Sequence, residues 1–172
     1  LSNLDSTNTE WQRNLAVAYS RVGDMLLLQG KAAEAQAQYQ EYLKIMRQLV
    51  ELNPTNAGWQ LDLAAAHKLI GTAAQAQGKV AEAGIPFQES LRITRRLANL
   101  DPTNVAWQRA LAVACVKVAR IKSATGRHAE ALALFEEANQ ILRPLTKIAP
   151  EFADLAEDSR IVGADLEECR LR

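Results

Sequence analysis

The sequence predicts an all-α protein, a right-handed α-solenoid of antiparallel helix pairs, and three observations carry that reading. First, Leu4-Asp5-Ser6-Thr7-Asn8-Thr9-Glu10-Trp11-Gln12 returns as Leu52-Asn53-Pro54-Thr55-Asn56-Ala57-Gly58-Trp59-Gln60. It returns again as Leu100-Asp101-Pro102-Thr103-Asn104-Val105-Ala106-Trp107-Gln108, and both steps are 48 residues. Second, Gly30-Lys31-Ala32-Ala33-Glu34-Ala35 recurs with the same step as Gly78-Lys79-Val80-Ala81-Glu82-Ala83 and Gly126-Arg127-His128-Ala129-Glu130-Ala131. Two independent blocks in register define a repeat architecture. Third, apolar residues fall three or four apart throughout, and no stretch alternates as a strand would.

The elements follow in order. Leu1 and Leu4 align with Leu49 and Leu52 and with Leu97 and Leu100, so residues 1–4 read as the tail of a preceding repeat. Residues 5–52, 53–100 and 101–148 form repeats 1 to 3 of a single repeat domain spanning 1–172. In the first helix of repeat 1, Trp11, Leu15, Ala18, Tyr19, Val22 and Leu26 share one face. Repeat 2 answers with Trp59, Leu63, Ala66, His67, Ile70 and Ala74. The second helix presents Ala35, Tyr39, Leu43, Met46 and Val50. Gly30, Gly78 and Gly126 separate the two helices, at the place where a helix C-terminus needs a left-handed residue. Pro54 and Pro102 end the second helices, because the residue before proline disfavours helical dihedrals, and Asn56 and Asn104 cap the helices that follow. Pro86 and Pro144 fall inside second helices, where each predicts a kink confined to one repeat. A fourth, degenerate unit starts at Ile148-Ala149-Pro150. Residues 149–172 read as a capping helix with Phe152, Leu155, Val162 and Leu166 on one side, shielding the last repeat.

These residues resemble the tetratricopeptide repeat, whose pattern is a small residue, a glycine seven later, Ala-x-x-x-aromatic and a closing proline. Gly23, Gly30, Ala35 and Tyr39 match in repeat 1. Gly71, Gly78, Ala83 and Phe87 match in repeat 2, and Ala119, Gly126, Ala131 and Phe135 in repeat 3. The family's unit is ~34 residues, so each helix here has gained about two turns, an addition that leaves its apolar face nearly in phase. HEAT-type repeats of ~40 to 47 residues are the main competitor, but they do not predict the glycine spacing. The Trp-Gln repeats look like those of bacterial multidomain signalling and effector proteins.

Charge and composition exclude several functions. Twenty basic and twenty acidic residues cancel, which speaks against nucleic-acid binding, and no apolar run is long enough for a membrane span. Cys115 and Cys169 stand far apart, without the spacing of a zinc site or a disulfide framework, and suit a reducing cytoplasmic setting. The slot shared by Tyr19, His67 and Cys115 reads as core packing rather than a Cys-His centre, because no acid or amide nearby would orient a base. His128 reads as a surface residue. Glu136-Glu137 and Glu167-Glu168 diverge on their helices and read as solvated faces. No phosphate loop, metal spacing or catalytic constellation is present, so neither an enzyme nor a cofactor or metal is expected. Trp11, Trp59 and Trp107 are expected to form a ladder in the core.

The resemblance implies partner binding on a concave face lined by first helices. By position that face holds Arg13, Val17, Ser20 and Asp24, then Ala65, Lys68 and Thr72, then Arg109, Val113, Val116 and Arg120. The family's clamp for chaperone tails places Lys and Asn where Ser20 and Asp24 stand, so that ligand is not expected. Lys68, Arg109 and Arg120 against Asp24 favour an acidic segment. The function read from this is a protein-interaction scaffold for a peptide or partner domain. The alternative is an architectural segment that positions attached domains, with end-to-end self-association through an open N-terminal face.

Overall fold

A computed structural model describes residues 6–148 and 153–171. Among them are seven α-helices and no strand: α1 (Ser6–Leu28), α2 (Ala32–Leu52), α3 (Ala57–Ala76), α4 (Val80–Leu100), α5 (Val105–Ala124), α6 (His128–Ile148) and α7 (Ala153–Arg170). They form two compact units, Leu1–Ser90 and Leu91–Arg172, divided within α4 rather than at a repeat boundary. In the first unit α2 packs on both α1 and α3; in the second α6 packs on both α5 and α7. Helices α4 and α6 run through Pro86 and Pro144 without a break. Residues 1–4, Pro150 and Phe152 lie outside the described residues.

The tight turns repeat atom for atom. Gly30, Gly78 and Gly126 have φ of 76°, 75° and 78°. Around each, two N–H groups return to the carbonyls that the ending helix leaves open. Gly30 donates to Leu27 at 3.0 Å and Lys31 to Leu26 at 2.9 Å, as Lys79 does to Ala74 at 2.9 Å and Arg127 to Lys122 at 2.8 Å. This is the two-bond Schellman closure, which needs a left-handed residue at its bend.

The inter-repeat loops are equally determined. Asn53 Oδ1 accepts from the Thr55 N–H and hydroxyl at 3.2 and 2.8 Å, and Asp101 Oδ1 from those of Thr103 at 3.0 and 2.6 Å. The hydroxyl of Thr103, then its N–H, hold the Asp101 carboxyl below its ordinary value. Asn56 and Asn104 then accept from the N–H groups of Trp59 and Trp107 at 3.0 and 3.1 Å, as caps should. The glutamines of the second and third Trp-Gln pairs are ties. Gln60 Nε2 donates to the Pro54 carbonyl and Gln108 Nε2 to that of Ala98, both at 3.1 Å.

The buried face of α2 is Ala32, Ala35, Tyr39, Tyr42, Met46 and Leu49. The sequence reading is corrected here: Leu43 and Val50 are only half-buried, and the stripe is rotated to Tyr42 and Leu49. In the first unit Ala35, Tyr39 and Ala73 pack with Leu26, Leu27, Leu69 and Ile70. Tyr39 lies so close to α1 that a Cβ on Gly23 would sit 2.4 Å from its ring, and one on Gly71 would sit 2.6 Å from Phe87. The Tyr39 hydroxyl donates to Asp24 at 2.7 Å. Burial, then Asp24, raise its pKa well above the ordinary phenol value.

A second correction concerns α1. Trp11, Leu15, Ala18 and Val22, read as its core face, are exposed, while Tyr19 and Leu26 of that face are half-buried; among the described side chains of α1 the buried positions are Ala16 and Gly23. Trp59 and Trp107 are half-buried, so Trp11 is not part of a core ladder. In α7 the expected side is buried: Leu155, Val162 and Leu166, joined by Cys169.

Candidate functional site

The predicted concave residues fall into two sets, one per unit. In the first unit Arg13, Val17, Ser20 and Asp24 lie on α1, and Lys68 and Thr72 on α3. Several of their polar groups are occupied locally. The Ser20 hydroxyl donates to the Val17 carbonyl at 2.9 Å, the Thr72 hydroxyl to that of Lys68 at 3.0 Å, and Asp24 holds Tyr39. Arg13 Nε donates to Asp62 Oδ2 at 2.7 Å, joining α1 to α3. That hydrogen bond, then the charge of Asp62, raise the Arg13 pKa.

In the second unit Arg109, Val113, Val116 and Arg120 lie on α5 and face α7. Arg109 Nε donates to Asp158 at 2.7 Å and its Nη1 lies 3.3 Å from Asp154, while Arg120 pairs with Asp165 at 2.7 Å. Between these clasps a cavity of about 130 Å³ is lined by Val113, Val116, Leu142, Ile161 and Val162, with Lys117, Arg120 and Asp158 at its edge. The structure thus brings together three of the predicted residues, Val113, Val116 and Arg120, around one apolar groove. Arg109 stands outside its lining, on the clasp.

The sequence reading missed the acids. Asp154, Asp158 and Asp165 pair with Arg109 and Arg120, two of the three cations that had suggested an acidic ligand, and Asp62 pairs with Arg13, so Arg120 lines the groove already paired and Arg109 beside it is held by α7. A signal was present: Arg13 to Asp62 and Arg109 to Asp158 are both 49 residues apart, one repeat plus one position. In repeat 2 the arginine slot is Leu61 and the aspartate slot in repeat 3 is Ala110, so the clasp is not universal along the chain.

The remaining candidate chemistry resolves into packing. Cys115 is fully buried. Desolvation first, then Glu137, push its thiol from 9.0 up to about 12, which leaves it protonated and unreactive at neutral pH. His67 is buried and Tyr19 half-buried. His128, expected at the surface, is half-buried, and its carbonyl accepts from the Cys169 thiol at 3.7 Å. Glu137 is not a bare solvated face: Arg95 Nη2 donates to both of its oxygens, at 2.9 and 2.7 Å. Glu136 accepts from Arg170 at 3.0 Å. Among the described residues no group of His, Cys, Asp and Glu is arranged to hold a metal, and no helix is long and apolar enough to cross a membrane.

The class this geometry defines is an all-helical repeat fold of the tetratricopeptide type. The solved structures it resembles include the type III secretion translocator chaperone SycD of Yersinia enterocolitica. The two are 19% identical with a TM-score of 0.53, covering 99% of this chain and 88% of that one. PcrH, solved in complex with the chaperone binding region of PopD, is 18% identical with a TM-score of 0.51, covering 100% and 98%. BtubC from P. vanneervenii is 15% identical with a TM-score of 0.56, covering 91% of this chain and 63% of that one. At these identities the likeness is one of fold. No protein-family model and no curated protein matches the sequence.

Proposed function

We propose that this chain is a protein-interaction scaffold, with tetratricopeptide units lengthened to 48 residues, that holds a peptide segment on the face lined by its first helices. The observation that carries this reading is the groove between α5 and α7, an apolar floor with Lys117, Arg120 and Asp158 along its edge. At about 130 Å³ it is well below the ~300 to 1,000 Å³ of small-molecule sites. That size suits one aliphatic side chain of a peptide, with the mixed charges of the edge fixing its backbone. PcrH, of the same fold, is solved with a bound region of its partner, which supports a peptide as the ligand class. The internal clasps remove the reason to prefer an acidic segment, so the anchor is apolar and the partner's net charge secondary. Buried free thiols at Cys115 and Cys169 suit a reducing, cytoplasmic setting.

The test is selection from a displayed peptide library followed by titration. Captured peptides are expected to share an aliphatic anchor and to bind at least tenfold more weakly to Val113→Glu than to the parent. Failure to enrich any peptide, or affinities unchanged by Val113→Glu, would overturn the reading. The part played by charge is separated by the double exchange Arg120→Asp with Asp165→Arg, which preserves the clasp while reversing it. Loss of an acidic peptide from this variant alone would restore the acidic ligand.

A further inference from the structure

A second cavity, of about 210 Å³, adjoins the first at Arg120. Its walls repeat those of the first cavity, moved along all three helices by the same step. On α5, Val113, Val116 and Lys117 are followed seven residues later by Arg120, Ser123 and Ala124. On α7, Asp158, Ile161 and Val162 are followed seven residues later by Asp165, Glu168 and Cys169. On α6, which runs the opposite way, Leu142 gives place to Phe135, seven residues earlier. Seven residues are close to two turns at ~3.6 per turn, so each replacement stands on the same side of its helix. Arg120 lines both cavities, and its 2.7 Å clasp to Asp165 stands where they meet.

The two copies differ in chemistry. Val116 corresponds to Ser123 and Ile161 to Glu168, while Phe135 and Cys169, both buried, keep part of the second wall apolar. The first cavity has two cations, Lys117 and Arg120, against Asp158. The second has two carboxylates, Asp165 and Glu168, against Arg120 alone. Lys122 and Arg170, next in sequence to its lining, are drawn to Glu130 and Glu136. The second cavity therefore complements a cation carried on an apolar stem, which is what a lysine or arginine side chain is.

We infer that the α5–α7 groove reads two side chains of one peptide, the aliphatic anchor in the first cavity and a lysine or arginine in the second. The pairing rests on the peptide-holding function proposed above and names the class of peptide. Two turns of helix separate equivalent walls by about 10 Å. A polyproline-type extended segment covers that distance in three residues, at ~3.1 Å each, and returns its side chains to the same side every third position. A helical ligand would need seven residues and would press the intervening side chains of that face onto the Arg120–Asp165 clasp. The extended segment turns its two intervening side chains away. The recognised pattern is thus an aliphatic and a basic residue three positions apart.

The test selects a displayed library of random peptides on the parent chain and, in parallel, on Glu168→Lys. Peptides from the parent should carry lysine or arginine three positions from the aliphatic residue. Those from Glu168→Lys should keep the aliphatic residue and lose the basic one, since Glu168 is exposed and lies outside the first cavity. In titration, a synthetic copy of the leading parent peptide should bind Glu168→Lys at least tenfold more weakly, and a copy with glutamate in place of its basic residue should regain the loss. Moving the basic residue by one position should weaken binding to the parent several-fold. Aliphatic peptides without a basic preference, or a preference that Glu168→Lys leaves unchanged, overturn this inference and leave the aliphatic anchor standing. A basic residue seven positions away overturns it in favour of a helical ligand. Enrichment of no peptide at all overturns both the inference and the function on which it rests.

Discussion

Helices α1 and α5 descend from one pattern and meet opposite fates. Both carry a Trp-Gln pair near the start, an arginine two positions after the tryptophan, and aliphatic residues at matching slots. On α5 the stripe Leu111, Ala114, Val118 and Ile121 is buried, and the groove beside it is clasped to α7 by Arg109 and Arg120. On α1 the matching stripe lies open, and a single clasp, Arg13 to Asp62, joins it to α3. Equal sequence does not confer equal burial in a repeat protein, because a face is covered only where another helix packs beside it.

The sharpest way to break this comparison is one substitution made twice. Leu111→Ala removes a buried side chain and is expected to cost about 2 to 5 kcal/mol, while Leu15→Ala, at the same slot, should stay within about 0.5 kcal/mol. Chemical denaturation of both variants checks it. Equal losses would mean that α1 is covered in solution as α5 is.

Next in size is the close approach of the two helices within a repeat. A methyl on Gly23 would meet the Tyr39 ring at 2.4 Å, yet the same slot in repeat 3 is Ala119, buried in the repeat whose aromatic is Phe135. Gly23→Ala is expected to destabilise by about 1 to 3 kcal/mol through overpacking. Ala119→Gly should lose about 1 kcal/mol through helix propensity alone. Thermal melts of the pair decide whether Tyr39 sets a tighter distance than Phe135, and a neutral Gly23→Ala would show that it does not.

A comparable effect is predicted at high pH. Burial and then Glu137 raise the Cys115 thiol to about 12, so the native state favours the protonated form. The unfolded chain begins to lose that proton near 9.0, and the stabilisation, complete below that value, is lost as pH rises towards 12. Between pH 8 and 10 the parent should lose about 1 kcal/mol more than Cys115→Ala, whose own unfolding free energy gives the reference. Identical pH slopes would refute the assignment.

Most of the fold was legible because its determinants are local. The glycines at 30, 78 and 126 and the caps Asn56 and Asn104 each act within a few residues of where they are read. Which side of α1 is covered was not legible, since the covering helix is a property of the neighbour and not of α1. The same holds for the groove. The tetratricopeptide resemblance put Val113, Val116 and Arg120 on one face, but the carboxylates opposite the arginines lie on the next first helix, and net charge along one helix says nothing of them.

The smallest predicted difference lies in those clasps, and it bears on what α7 is for. Arg13 and Asp62 are 47% and 21% exposed, Arg109 and Asp158 35% and 22%, so neither pair is dry. Pairs of this kind contribute about 0.2 to 1 kcal/mol and are screened by salt. Arg13→Ala should therefore fall in that range. Arg109→Ala should exceed it modestly, because Arg109 also lies 3.3 Å from Asp154 and its loss leaves two neighbouring carboxylates on one helix face. Denaturation at low and high ionic strength reads the difference: the gap should narrow in ~1 M salt, where the Debye length is ~3 Å. A gap unchanged by salt would assign the Arg109 contribution to packing of its aliphatic stem on α7 instead, making the helix a structural cap held by apolar contact, with the clasps serving only its register.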